Sequence, residues 1–590
     1  MAPTNDNSYD FVIVGGGTAG NTVAGRLASN PSARILIIEA GASNPYGIPE
    51  ITTPSSAMDL RGSAHDWAYK TTLVRRDDYE RIEKPNTRGK VLGGSSSLNY
   101  FTWLPGCKPT LDMWGEYGGE EWTWEKLLPY LRKSATYHDD HGIYPEELKK
   151  IGPGEGPIHI SHAELLDGMQ PFRDAITEAW KNMGEKVEEN VYDGEMLGLT
   201  HCVDSIYHGQ RSGSWLFVKD KPNITILAGA QSKKLIIDPV EKECKGVTVI
   251  QPDGTETSFF ANREVILSQG VFETPKLLML SGIGPAEHLA THGIDTLVDS
   301  PHVGQNLIDH PGVPFVLQVK EGYGMDDYLL RKGTEENKRA VSTYEKSHTG
   351  PVSSGLLELV GFPRVDSYLE KDEQYRKAKE EFGGKDPFSP YGQPHFELDF
   401  VCMFGTAFQW HYPVPKKGNH LTVVVDLVRP ISKPGEVTLI DNNPLTQPAI
   451  NLNFFADDLD IIAMREGIRF SYDLLTKVDG FKDLVVAEYP WEMPLDNDAE
   501  MKRAVLDRCQ TAFHPCGTAR LGKDIGQGVV GPDLKVHGIK GLRVADASVM
   551  PVIPDCRIQN SVYMVGEKCA DLVKGANADL YEGWKDQVRA

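Results

Sequence analysis

A chain of 590 residues is too long for one hydrophobic core and is expected to divide into two domains or more. Hydrophobic residues at 40% and charged residues at 24% exclude a disordered, collagen-like or disulfide-scaffold protein. With 61 Lys+Arg against 83 Asp+Glu the formal net charge is -22, which argues against nucleic acid or anionic membrane as partners and repels small anions at long range.

Residues 9–14 (YDFVIV) are a short apolar run ending at Gly15 and predict a buried parallel strand. A helix follows over 18–28, with Ala19, Val23, Ala24 and Leu27 near helical spacing, and 34–39 (RILIIE) predict a second buried strand, closing one βαβ unit. Further on, 224–227, 246–250 and 264–268 predict strands and 274–280 a helix, while the charged stretch 370–394 predicts a surface excursion. Alternating apolar residues over 395–404 and 420–428 predict an antiparallel sheet. The chain closes with a strand at 542–544 and an amphipathic helix over 561–574.

Gly15, Gly17 and Gly20 form G-x-G-x-x-G between the first strand and helix. The first permits a tight turn, the second lets backbone approach a pyrophosphate, and the third lets helix and strand pack closely. The pyrophosphate would sit at the N-terminus of the helix, where free N–H groups favour an anion. Glu39, at the end of the second strand, is placed to accept from ribose hydroxyls, which suits FAD or NAD better than NADP. A second Gly/Ser-rich segment, 89–99 (GKVLGGSSSLN), can press its backbone against a flat ring or a phosphate.

These motifs together resemble the glucose–methanol–choline (GMC) flavoprotein oxidoreductases. The resemblance is carried by 9–28, by 89–99 with Gly106 and Asp112 downstream, by 270–284 (GVFETPKLLMLSGIG, with Val271 where a small residue is usual), by 303–310 (VGQNLIDH) and by 542–548 (LRVADAS). It implies an α/β fold, with a Rossmann-like FAD-binding domain over 1–155, 200–312 and 520–590 and an α+β substrate domain with an antiparallel sheet over 156–199 and 313–519. The candidate cofactor-binding residues are then Gly15, Gly17, Thr18, Ala19, Gly20, Glu39, Ala40, Arg88, Gly93, Gly94, Ser95, Asn99, Asp546 and Ala547, with no metal.

Members of this family carry a His in a His-Pro-x-Gly-Thr setting near flavin N5, here His514, and a second His or Asn about 43 residues on. The register fixed by Gly566-Glu567 puts Arg557 at that second place. Arg stays protonated and cannot act as the base that alcohol oxidation uses, but it binds a planar carboxylate through two parallel N–H bonds. Formate is a carboxylate that gives up a hydride alone and becomes CO2, so Arg557 and His514 are the candidate catalytic pair. A branch of the family with such a His/Arg pair oxidises formate with O2 to CO2 and H2O2. Resemblance to it implies FAD that can be oxidised in place to 8-formyl-FAD; the roles expected are a formate clamp for Arg557 and, if His514 is protonated beside the flavin, help in binding the anion. An alcohol or sugar oxidase or dehydrogenase of the same fold, and a non-redox FAD enzyme such as a cyclase or photodecarboxylase, remain the alternatives.

Arg557 could also be a salt-bridge partner of Asp555 or another acid. Phe404, Phe408, Trp410, His411 and Tyr412 read as sheet core more readily than as substrate lining. Eight cysteines without a CxxC pair suit packing thiols in a reducing compartment. A polar start, no apolar run of about 18 residues and no clear peroxisomal tripeptide at 588–590 lead to a cytoplasmic expectation. Oligomeric state is not legible.

Overall fold

A computed structural model describes residues 7–139, 154–163, 167–188, 191–355, 357–409 and 411–582. Trp410 and the C-terminal tripeptide lie outside the described residues.

The first large sheet runs Ile224–Ala228, Ile35–Glu39, Ser8–Val14, Glu256–Leu267, Glu243–Ile250, Gln231–Asp238, and Leu542–Val544 also pairs with Glu256–Leu267. The strands around Ser8–Val14 are parallel, and their register aligns Val14 with both Ile38 and Leu267, and Leu267 with Val544. Five parallel strands therefore end at one edge, where Gly15, Glu39, Ala228, Ser268 and Ala545 stand together. Ligands of open α/β sheets sit at that carboxyl edge. Both faces are covered: Ile35, Leu36, Ile37 and Ile38 are at most 2% exposed. Each such side chain contributes about 1.5–3 kcal/mol by burial.

Helix Thr18–Leu27 packs on Gln559–Ala576, the first helix of the chain against nearly the last. Gly566 leaves no room for a side chain there, since a Cβ would meet Thr22 Cβ at 2.9 Å. Arg26 pairs with Glu567 at 2.7 Å, and the Glu567 side chain is fully buried. Lys133 at 3.5 Å and the Ser134 hydroxyl at 3.2 Å also hold that carboxylate, so Glu567 ties the first helix, the segment around Lys133 and the last long helix together.

The helix expected over 274–280 in fact begins at Gly270 and continues through Pro275. Proline deprives the carbonyl four residues back, that of Val271, of its helical donor. The Thr518 hydroxyl donates to it instead at 2.7 Å, and the Asp546 carboxylate accepts from Gly270 N–H at 3.0 Å. These two long-range bonds extend the helix beyond what local sequence shows.

The second large sheet is antiparallel: Val485–Tyr489, Pro311–Val319, Asn419–Leu427, Phe396–Val401, Leu357–Phe362, Gly198–His201. Its central strands are buried along their whole length although they carry Glu397, Asp399 and Asp426. The charged stretch 370–394 folds as helix Glu373–Glu381 and a loop, anchored by buried Tyr375 and Phe388. All eight cysteines are buried, and none is in a disulfide. No helix among the described residues is long and apolar enough to cross a membrane.

Candidate active site

One continuous cavity begins at the carboxyl edge of the first sheet and ends against the antiparallel sheet. Gly15, Gly17, Thr18, Ala19, Glu39, Ala40, Arg88, Gly94, Ser95, Asn99, His514, Asp546, Ala547 and Arg557 all line it. Two expected residues do not. Gly20 packs against the first strand, where a Cβ would come within 2.1 Å of Gly15 O. Gly93 has φ of 98° and a Cβ there would strike Ser97 Oγ, so it shapes the turn behind Gly94 and does not line the cavity.

The residues fit an FAD. The first turn of Thr18–Leu27 has no side-chain cap, which leaves its N–H groups for a pyrophosphate. Gly94, at φ 53°, brings the second glycine segment onto the first: a Cβ there would lie 2.8 Å from Gly17 Cα. Glu39 accepts from Gly16 N–H at 3.1 Å and Gly41 N–H at 2.7 Å, and burial pushes its carboxyl up to about 7. Gln269 Oε1, in the cavity wall, is buried without a partner, a polar group waiting for a ligand donor. Asp546 and Asn99 act through the protein instead. Asp546 accepts from Gly270 N–H, Thr274 Oγ1 and Ser548 N–H. Asn99 bridges Gln559 and Arg211.

At the other end, His514 Nδ1 lies 3.1 Å from His310 Nδ1, and the His514 N–H donates to Asp309 Oδ1 at 2.9 Å. Arg88 Nη2 donates to the Phe513 carbonyl at 2.8 Å, tying the glycine segment to the His514 loop. Phe513 itself sits at φ 64°, a strained conformation for an aromatic residue and a mark of functional constraint. A cationic His514 is not what the site favours. Burial, then His310, Arg557 and Arg88, hold its imidazole well below the ordinary range, and His310 is pushed down to about 3, chiefly by burial. Asp309, buried beside them, is pushed up to about 6.

Arg557 reaches the cavity with its guanidinium held by two acids, Nη1 on Glu397 Oε1 and Nη2 on Asp399 Oδ2. The salt-bridge reading and the substrate reading thus both have a place. Two of the five N–H bonds of the group go to the acids, leaving three with no acceptor among the described residues.

Models of the GMC oxidoreductase family match residues 9–312 and 430–566. The chain belongs to the GMC oxidoreductases. As a GMC oxidoreductase it is 30% identical to pyranose dehydrogenase 3 of Leucoagaricus meleagris, over 96% of this chain and 93% of that one. It is 29% identical to choline oxidase of Arthrobacter globiformis, over 97% and 96%. Among solved structures it is similar to an Arg-to-Lys variant of formate oxidase from Aspergillus oryzae RIB40, studied for its effect on FAD modification: 74% identical, TM-score 0.96, covering 98% of this chain and 99% of that one. An aryl-alcohol oxidase of fungal origin aligns at 26% identity and TM-score 0.79 over 97% of this chain and all of the other.

The aromatic cluster expected to be sheet core divides in this GMC oxidoreductase, and three acids that the sequence did not single out join the site. Phe408 lines the cavity, while Phe404 is sheet core and His411 and Tyr412 lie toward the surface. Asp399 and Asp426 also line it, with Glu397 behind them. The available signal was three acids set in strands otherwise too apolar to face water.

Proposed function

We propose that this protein is an FAD-dependent oxidase of formate, transferring a hydride to the flavin and passing the electrons to O2 to give CO2 and H2O2. The observation that carries the reading is Arg557: a permanent cation that cannot accept a proton faces the cavity beside His514, which suits an anionic substrate and not the oxidation of an alcohol. The 74% identity to a formate oxidase over almost the whole chain supports the same substrate. The two large sheets support a two-part division, with the first sheet holding the cofactor and the second the substrate.

Bound FAD supplies the hydride acceptor and the route of the electrons to oxygen. The chain supplies the rest. Arg557, fixed by Glu397 and Asp399, presents its remaining N–H bonds to the formate oxygens and so directs the C–H bond toward the ring, a positioning effect. His514, neutral at rest, offers its outward ring nitrogen without adding charge; an anion arriving beside it raises its proton affinity. Tyr100, Phe101 and Phe408 line the same end and exclude water. Formate loses no proton in becoming CO2, so no base is required.

Anaerobic addition of formate tests the reading: flavin absorbance should bleach with release of CO2. A flavin spectrum unmoved by formate and bleached by a neutral alcohol would replace it with the alcohol-oxidase reading. The mass of the extracted cofactor decides between FAD and 8-formyl-FAD.

A further inference from the structure

A group of buried carboxyls stands behind Arg557 with more negative charge than one guanidinium can balance. Glu397 and Asp426 are directly opposed across the antiparallel strands Phe396–Val401 and Asn419–Leu427, so both side chains leave the sheet on one face. Asp399, two residues on from Glu397, shares that face. Glu397 is 0% and Asp426 2% exposed. On the next strand Gly312 faces Asp426, and a Cβ there would come within 2.1 Å of Asp426 Oδ1, so the strand is bare where that carboxyl stands.

Arg557 satisfies one oxygen of Glu397 and one of Asp399. Glu397 Oε2, Asp399 Oδ1 and Asp426 Oδ1 are buried without a hydrogen-bond partner. An ionised oxygen in that position is costly, whereas a protonated carboxyl brings its own donor. The groups facing the pair come from every side. They are Arg557 and Cys556 on the loop before the last long helix, Asp399 on the same strand, Cys202 beyond strand Gly198–His201, and Asp309 before strand Pro311–Val319, while Asp204 and His310 act on Arg557. Only Arg557 among them is a firm cation. Burial, then the neighbouring acids, pushes Asp426 well above the usual carboxylate range, and burial raises Glu397 in the same direction.

We propose that Glu397 and Asp426 hold one shared proton in the resting enzyme and that Asp426, at the cavity wall, donates it when O2 is reduced. The proposal rests on the formate-oxidising reading. Formate, HCOO−, yields CO2 and a hydride; the hydride's two electrons and its proton, with O2 and one further proton, make H2O2. Every turnover consumes a proton that the formate anion does not bring. The carboxyl pair supplies it at the point of use, and water restores it afterwards.

The test uses the full flavin-loaded chain. Infrared difference spectra of resting wild type against Asp426→Asn and Glu397→Gln should show the carbonyl band of a protonated carboxylic acid, shifted in D2O and lost in either variant. Stopped-flow mixing then separates the half-reactions. Reoxidation by O2 should slow by about 100-fold or more in Asp426→Asn and change its solvent isotope effect, as expected when a general acid is lost. Anaerobic reduction by formate should change by less than about threefold, within the scatter of a lesion that spares transition-state contacts. Glu397→Gln, checked for full flavin content, serves as the second variant in the infrared comparison alone, because Glu397 also anchors Arg557 and its loss reaches formate reduction directly. Absence of the acid carbonyl band from wild type overturns the proposal. Equal slowing of both half-reactions with an unchanged isotope effect, the mark of a structural role, also overturns it. The infrared measurement needs no formate, so a wild-type flavin that formate fails to reduce refutes the substrate reading separately.

Discussion

Replacing Arg557 by lysine keeps the positive charge and discards the planar fork. In the structure the fork spans two acids, Glu397 through Nη1 and Asp399 through Nη2. A single ammonium is a point charge and cannot reproduce that span. One charge-assisted hydrogen bond to a buried carboxylate is lost on the protein side, and one N–H contact to formate on the substrate side. Each contributes about 1.5–3 kcal/mol. At about 1.4 kcal/mol per tenfold, the substrate side alone lowers kcat/KM for formate by about 10- to 140-fold in Arg557→Lys. The assay is an anaerobic stopped-flow titration with formate, which returns the limiting rate of flavin reduction and the apparent Kd separately. Flavin content and thermal midpoint are measured first, so that a folding defect is not read as a catalytic one. A fully loaded Arg557→Lys protein with unchanged limiting rate and unchanged Kd refutes the proposed clamp.

Gly94→Ala places a methyl group 2.8 Å from Gly17 Cα and should weaken flavin retention by about tenfold or more, a strain of about 1–3 kcal/mol; flavin release on dilution reads it, and full retention contradicts the cradle. Asp204 is pushed up to about 8 by burial. Its folded-state pKa lies above the unfolded one, so the folded chain holds a proton that the unfolded chain has released. Its stabilising contribution is complete below about pH 4 and is lost as pH rises toward 8. The thermal midpoint of wild type should therefore fall more steeply between pH 5 and 8 than that of Asp204→Asn, and parallel curves would refute the linkage. The acidic surface, net -22, is screened within about 8 Å at physiological salt. Added salt should change the apparent KM for formate only modestly, and a steep rise would require a basic access funnel.

The βαβ unit and its glycine cradle were legible because each residue carries its own local reason: an apolar strand, a turn that needs glycine, an acid at the next strand end. The final strand, read at 542–544, is observed over Leu542–Val544. What stayed hidden depends on partners far along the chain. The helix from Gly270 gains its first turn from Asp546 and Thr518, neither of which a local window contains. The charge state of His514 depends on His310, Arg557 and Arg88, brought together only by folding. Glu397, Asp399 and Asp426 were overlooked because alternation in an apolar strand is ordinarily a sign of one wet face, and here the face that carries the acids is enclosed.

The packing of helix Thr18–Leu27 on Gln559–Ala576 also sets a timetable for synthesis. At about 5–20 residues per second, the first helix leaves the ribosome roughly half a minute to two minutes before its partner exists. During that interval the glycine cradle lacks the segment carrying Asp546 and Ala547, so the cofactor has nowhere to settle until translation is nearly complete. Flavin capture should then follow completion of the chain. A premature stop even a few dozen codons from the end, by removing Glu567, should yield a protein that neither closes nor turns yellow.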